Sequence, residues 1–257
     1  MDRNRRRLAL VMATAVGTLA FLGYALGLVL HAPILAAGLA IVVAVLACYV
    51  AWSFGDRVVL RAAEATAVGP EDEPRLHNLV EGVALAARMP KPALHVSSQR
   101  ALNSLATGRS PGSSSIVVTR GLLETMNRLE LEAVVAHELA HIRGRDAPLG
   151  TFVATLGLLL APVPPLLRAI VNAAIPGDRE PVADAEGALI TRYPPALASA
   201  LRKVAEDGTP MEKGATAIGH LWLDSPRRPG RQGQDRPERV NGAGPSLSER
   251  IRILEEM

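Results

Sequence analysis

The residues best suited to chemistry are His137-Glu138-Leu139-Ala140-His141. On a helix, positions four apart project from one face a turn apart, so His137 and His141 can offer two imidazole nitrogens to one metal ion. Zinc suits such a pair, at roughly 2.0–2.1 Å per nitrogen. Glu138 lies beside the first histidine, off the ligand face. There it can take a proton from a water activated at the metal and pass it to a leaving amine. Leu139 and Ala140 cannot compete for metal.

A catalytic zinc has three protein ligands and one open position. His31, His77, His95 and His220 have no spacing that singles one of them out. Glu180 and Asp184 are better placed: their E-x-x-x-D spacing puts both on one helix face, although such a pair is more often a solvated surface. Glu180 is the expected third ligand of one zinc per chain. Asp184 is expected to orient a histidine from behind, with Arg179 supporting the site beside it. Arg179, His220 and Tyr193 are the candidates for polarising a scissile carbonyl.

The elements that must position these groups follow from periodicity. Leu129–Arg143 reads as the strongest helix, with Gly144 as its stop. Pro70–Met89 has Leu76, Leu79, Val80, Val83 and Ala87 at helical spacing. Ala93–Ser98 and Ser115–Thr119 are short β-branched runs read as strands, with Ala101–Gly108 a candidate third. Asp178–Ile190 and Pro195–Ala205 read as helices, Pro181 being tolerable in a first turn. Ser246-Leu247-Ser248-Glu249 has capping-box spacing for a last helix to Met257. Residues 225–244, rich in Pro, Gly and Arg, read as a flexible loop.

Ahead of all this lie two uncharged runs, Leu8–Leu30 and Pro33–Trp52, each long enough for a hydrocarbon core of about 30 Å. The first is too long for an ordinary signal-peptide core and is followed almost at once by the second. A transmembrane hairpin is therefore expected over residues 1–55, spanning about 8–30 and 33–52. Arg3, Arg5, Arg6 and Arg7 precede it, and the connection near His31 has no Lys or Arg, which keeps the N-terminus in the cytoplasm. Residues 56–257 then form a cytoplasmic catalytic domain of a multi-pass plasma-membrane protein.

Leu149–Ile175 is apolar apart from Arg168 and Asn172, but a third crossing would part Glu180 from His137. Pro162, Pro164 and Pro165 interrupt it, so 149–176 is expected to be a hairpin that dips into or lies on the cytoplasmic leaflet.

Composition agrees. The chain has 257 residues, 49% apolar and 21% charged, which excludes a disordered protein, and mean hydropathy is +0.19. Cys48 is the single cysteine, which excludes a disulfide framework and a Cys-rich metal site. The pI near 9.4 does not signal nucleic acid, because no basic run is interleaved with aromatic residues. The bilayer is the expected partner.

These residues together resemble the HtpX-type membrane-bound zinc metalloproteases, gluzincins related to the CAAX prenyl proteases. The stretch Ile116–Asp146 is very close to that family, Asn103–Arg109 (NSLATGR) is similar to its N-A-x-A-T-G-R, and Arg179–Asp184 matches its R-E-x-x-A-D. Gly55–Leu60, Ala196–Lys203 and Leu247–Ile251 also fit. Two departures stand out: the His141–Glu180 segment is short, and Ala243-Gly244-Pro245 replaces the family's T-H-P.

The resemblance implies a zincin-like α+β fold, mainly helical with a small β-sheet, and Glu180 completing the zinc site. It also implies an endopeptidase acting on misfolded or damaged membrane proteins in quality control. Polypeptide substrates would add as a strand along Asn103, Ser104, Leu105, Ala106 and Thr107. Two alternatives are a prenyl-type protease, disfavoured by the few spans, and a non-catalytic membrane-anchored regulator with a structural zinc, disfavoured by the lack of a fourth ligand.

Overall fold

The computed structural model describes residues 3–159, 177, 179–211, 218–225 and 245–257. The prolines at 162, 164 and 165, the second half of the 149–176 segment and nearly all of the 225–244 loop lie outside them.

Two long apolar helices come first: α1 (Arg3–Val29) and α2 (Pro33–Ala62). Both are long and apolar enough to cross a membrane. His31, in the left-handed region at φ 58°, turns the chain between them, and Pro33 opens α2 where no amide partner is missed. Large side chains such as Phe21 (69% exposed) and Ile34 (83%) point outward, as lipid contact requires. α2 does not stop at Trp52. It runs through Asp56 and Arg57 to Ala62, so the expected boundary at residue 55 falls within a helix. Its buried residues, Ala44, Cys48, Ala51, Gly55 and Val59, recur every three or four positions and form one stripe.

A four-stranded sheet follows, from β1 (Ala65–Ala67), β2 (Ala93–Ser97), β3 (Ser104–Ser110) and β4 (Ser113–Thr119), in the order β1-β2-β4-β3. β2 and β4 are parallel, and the outer pairs are antiparallel. The β3–β4 hairpin shifts register between Gly108 and Ser110. Gly108, at φ +129°, permits this, since a Cβ there would strike the Ser113 backbone. The sheet's β-branched residues alternate between two faces. Leu94, Val96, Ala106, Ile116 and Val118 join the main core, while Leu105 and Val117 face Val59, Ala63 and Trp222.

Helices α3 (Pro74–Ala86), α4 (Arg120–Thr125), α5 (Arg128–Gly144), α6 (Asp146–Leu159), α7 (Arg179–Thr191), α8 (Pro194–Glu206) and α9 (Leu247–Glu255) complete the described chain, with a 3-10 turn at Gly219–Leu221. α5 is buried nearly all round, its apolar residues packing on those of the sheet, α3 and α8. α6 carries Leu149, Phe152, Val153 and Leu156 against Val11, Ala15, Cys48 and Ala51 of the two long helices. The molecule is thus α+β, mainly helical with a small sheet, as expected.

Candidate functional site

The site begins with a well-formed α5. Asn127 Oδ1 accepts from the Glu130 amide at 3.0 Å, and Glu130 Oε2 accepts from the Asn127 amide at 2.9 Å, a reciprocal cap on the first turn. α5 includes Gly144 and is stopped by Arg145 in the left-handed region at φ 58°, one residue later than the sequence suggests. The chain then turns straight into α6, whose first residue, Asp146, reaches back to His141.

α7 brings Glu180 and Asp184 to the same place. It approaches α5 so closely that a Cβ on Gly187 would stand 2.9 Å from the His137 amide nitrogen. Only glycine allows that approach.

The three expected ligands converge. His137 Nε2 and His141 Nε2 stand 3.0 Å apart, with the rings edge to face. Glu180 Oε2 is 3.6 Å from the first nitrogen and Oε1 is 3.7 Å from the second. Ligand atoms around a tetrahedral zinc with bonds near 2.0–2.1 Å stand roughly 3.3 Å apart, so the triangle has the size for one ion. All three residues are buried.

The surroundings fit a dication as well. His141 Nδ1 donates to Asp146 Oδ2 at 2.7 Å, and His137 Nδ1 lies 2.9 Å from Asp184 Oδ1. Carboxylates behind both rings favour a proton on each Nδ1 and leave the Nε2 lone pairs facing each other, an arrangement that calls for a cation. Burial alone would lower the His141 pKa, but the charge and hydrogen bond of Asp146 raise it to about 9, so positive charge is drawn to this spot. Arg250, fully buried, donates to both oxygens of Asp184 at 2.6 and 2.7 Å and lies 3.1 Å from Glu180 Oε2. Arg179 Nε donates to Glu180 Oε1 at 2.9 Å. Burial works against ionisation of Glu180 and Asp184, yet Arg250 and Arg179 hold Glu180 well below the usual carboxylate range, and Arg250, with His137, holds Asp184 at about 2. Asp146, Glu180 and Asp184 thus set three carboxylates against Arg179 and Arg250 around the histidine pair, surroundings that favour a cation there.

Glu138 is buried beside this triangle. Its Oε1 accepts from Ser104 Oγ at 2.6 Å, while Oε2 has no hydrogen-bond partner. Burial raises its pKa.

The other expected residues fare differently. Asn103–Thr107 lie at and along β3, an edge of the sheet, but that edge is partly covered. Leu105 bridges to Trp222, the Leu223 amide donates to Ser104 O at 2.8 Å, and Thr107 Oγ1 lies 2.9 Å from Thr151 Oγ1. His220 is held neutral by burial and Arg179, its pKa pushed down to about 4, and its Nε2 lies 3.1 Å from the Gly150 carbonyl. In the neutral ring the N–H on Nε2 donates to that carbonyl. Tyr193 follows the far end of α7, separated from Glu180 by roughly 17 Å of helix, and is 49% exposed; it does not join the cluster.

Three contributors have no role in the sequence reading: Asp146, Arg250, and Ser104 as a partner of Glu138. Arg250 had a signal, since it sits on the same helix face as Leu247, Ile251 and Leu254. A charge on an apolar stripe implies a buried partner.

Two histidines and a glutamate that could hold a metal ion, on a helical core with a small sheet, suit a metallopeptidase, and comparison with known proteins gives the class. Peptidase family M48 matches residues 70–257, and the chain belongs to that family. Similar proteins include the protease HtpX homolog of Thermoanaerobacter pseudethanolicus, 34% identical over 247 residues, covering 81% of this chain and 80% of the relative. The protease HtpX homolog of Caldanaerobacter subterraneus is 35% identical with the same coverage, and that of Pyrococcus furiosus is 33% identical over 86% of both chains.

Proposed function

We propose that this chain is a membrane-anchored zinc endopeptidase with His137, His141 and Glu180 as its metal ligands and Glu138 as its general base. The observation that carries this reading is the convergence of two imidazole Nε2 atoms and the Glu180 carboxylate, beside a buried glutamate, in a member of family M48. When bound, zinc supplies Lewis-acid polarisation of the attacking water and the scissile carbonyl.

The protein's own groups do the rest. Ser104 holds one oxygen of Glu138, leaving the other free to take the water's proton and deliver it to the departing amine. Burial lifts Glu138 towards the pH at which a carboxylate can both accept and return a proton. Asp146 and Asp184 fix the ring orientation of the two histidines, and Arg179 and Arg250 keep Glu180 ionised.

The substrate is a polypeptide lying along β3, drawn from misfolded or damaged membrane proteins. The two apolar helices anchor the chain in the plasma membrane with the catalytic domain on the cytoplasmic side. Metal analysis and casein hydrolysis by the purified protein test this. One zinc per chain and hydrolysis that a chelator abolishes and zinc restores are expected. Hydrolysis that persists in metal-free protein would overturn it.

A further inference from the structure

The place where a substrate strand would join is held by the chain itself. β3 is an outer strand, and on its free side Leu105 pairs with Trp222 in antiparallel sense. The Leu223 amide donates to Ser104 O. The Asn103 side chain clasps Asp224 from both sides, donating to its carbonyl at 2.8 Å and accepting from its amide at 3.2 Å. Arg250 Nη1 donates to Leu223 O at 3.1 Å. Two of these anchors also touch the reaction centre, since Ser104 binds Glu138 and Arg250 binds Glu180 and Asp184. The segment therefore lies next to the site, and His137 and Glu138 are 0% and 1% exposed.

We propose that Leu221–Asp224 is a resident strand that closes the substrate edge and is displaced by an extended apolar peptide. This rests on the endopeptidase reading and names its substrate class. The resident strand is short: beside the 3-10 turn it forms a single bridge with a seven-residue β3. A longer extended peptide can form more of the ladder and so compete. The competitor must also replace what it expels. Trp222, 2% exposed, packs with Leu105 and Val117, so the incoming strand needs a large apolar side chain at that position. A folded chain lacks the free backbone, and an extended polar chain lacks the apolar side chain. Unfolded hydrophobic segments offer both.

Trp222 is one of two tryptophans, which supplies the test. In zinc-loaded full-length protein carrying Trp52→Phe and Glu138→Gln, Trp222 is the only indole. A tryptophan-free, dye-labelled decapeptide with leucine at alternate positions should bind and shift Trp222 emission to the red. A Gly/Ser decapeptide should do neither. Leucine-peptide binding with unchanged emission would overturn the resident strand.

A second variant avoids peptide chemistry. Leu105→Cys with Trp222→Cys and Cys48→Ser places two thiols across the bridge, where a disulfide is geometrically feasible. Casein hydrolysis should fall at least tenfold on oxidation and return on reduction, and equal rates in both states would overturn the proposal. Failure of wild-type protein to hydrolyse casein would instead remove the endopeptidase reading itself.

Discussion

Glu138 and Glu180 are both buried glutamates, yet their surroundings push them opposite ways. Glu138 meets a single hydroxyl and its pKa is raised; Glu180 meets two guanidiniums and stays ionised. That contrast suits the roles proposed for them, proton transfer for Glu138 and metal binding for Glu180. Glu138→Gln keeps the size and the hydrogen bond but cannot accept a proton. Zinc content should stay at the wild-type level while casein hydrolysis falls by about 10²–10⁴-fold; near-wild-type turnover would remove the general-base role. Glu180→Ala strips a ligand and leaves Arg179 and Arg250 without their shared carboxylate. Zinc retention through dialysis should drop about tenfold or more, and undiminished zinc would show that another group completes the site.

At the scale of elements, α5 is anchored at its first turn. Glu130, in the first turn of α5, caps Asn127 and reaches α8, accepting from Ser199 Oγ at 2.7 Å and Lys203 Nζ at 2.6 Å. Burial opposes its charge, but these partners, Lys203 foremost, lower its pKa. A depressed carboxylate stabilises the fold above its unfolded pKa near 4.3 and loses that contribution as pH falls through the lower folded value. Lys203→Met should therefore cost about 1 kcal/mol at pH 7, because the pair is only partly shielded from solvent. Thermal melts at pH 7 and pH 3.5 should show the deficit shrinking in acid; a constant deficit would indicate lost packing instead.

How far such elements are legible in the sequence depends on how local their causes are. α5, α7 and α8 follow from helical spacing, and Ser246 caps α9 as its S-x-x-E pattern suggests, accepting from the Glu249 amide at 3.2 Å. The three-residue β1 and six-residue α4 leave no such mark in the sequence: neither is long enough to show a period, and β1 is paired with β2. The histidine pair is legible because helix geometry fixes its spacing. Asp146 and Arg250 are not, since a left-handed turn and a helix more than a hundred residues downstream bring them in.

For the whole molecule, the question is which side of the membrane the chemistry faces. α6 leaves the site at Asp146 and packs on α1 and α2, so the site is tethered to the two long helices. With Arg3, Arg5, Arg6 and Arg7 in the first turns of α1 and no Lys or Arg in the turn between the helices, reporter fusions after Arg57 and after Met257 should both report the cytoplasm. An external reading at the C-terminus would contradict the shared site of His137 and Glu180.

The single buried stripe along α2 gives that tether an angular phase. At 1.5 Å per residue its 30 residues measure about 45 Å, roughly 15 Å more than a hydrocarbon core. The surplus is a rigid shaft whose lower positions, Gly55 and Val59, meet α6 and the residues facing the sheet. A shaft transmits rotation. One alanine inserted after Trp52 would turn everything below it by about 100° and swing Gly55 away from Thr151 and Thr155. The same alanine beside His31, in the turn, would leave the stripe in phase. The first variant should lose resistance to added trypsin and the second should keep it; equal resistance would mean that the helix is a passive leash, indifferent to its own winding.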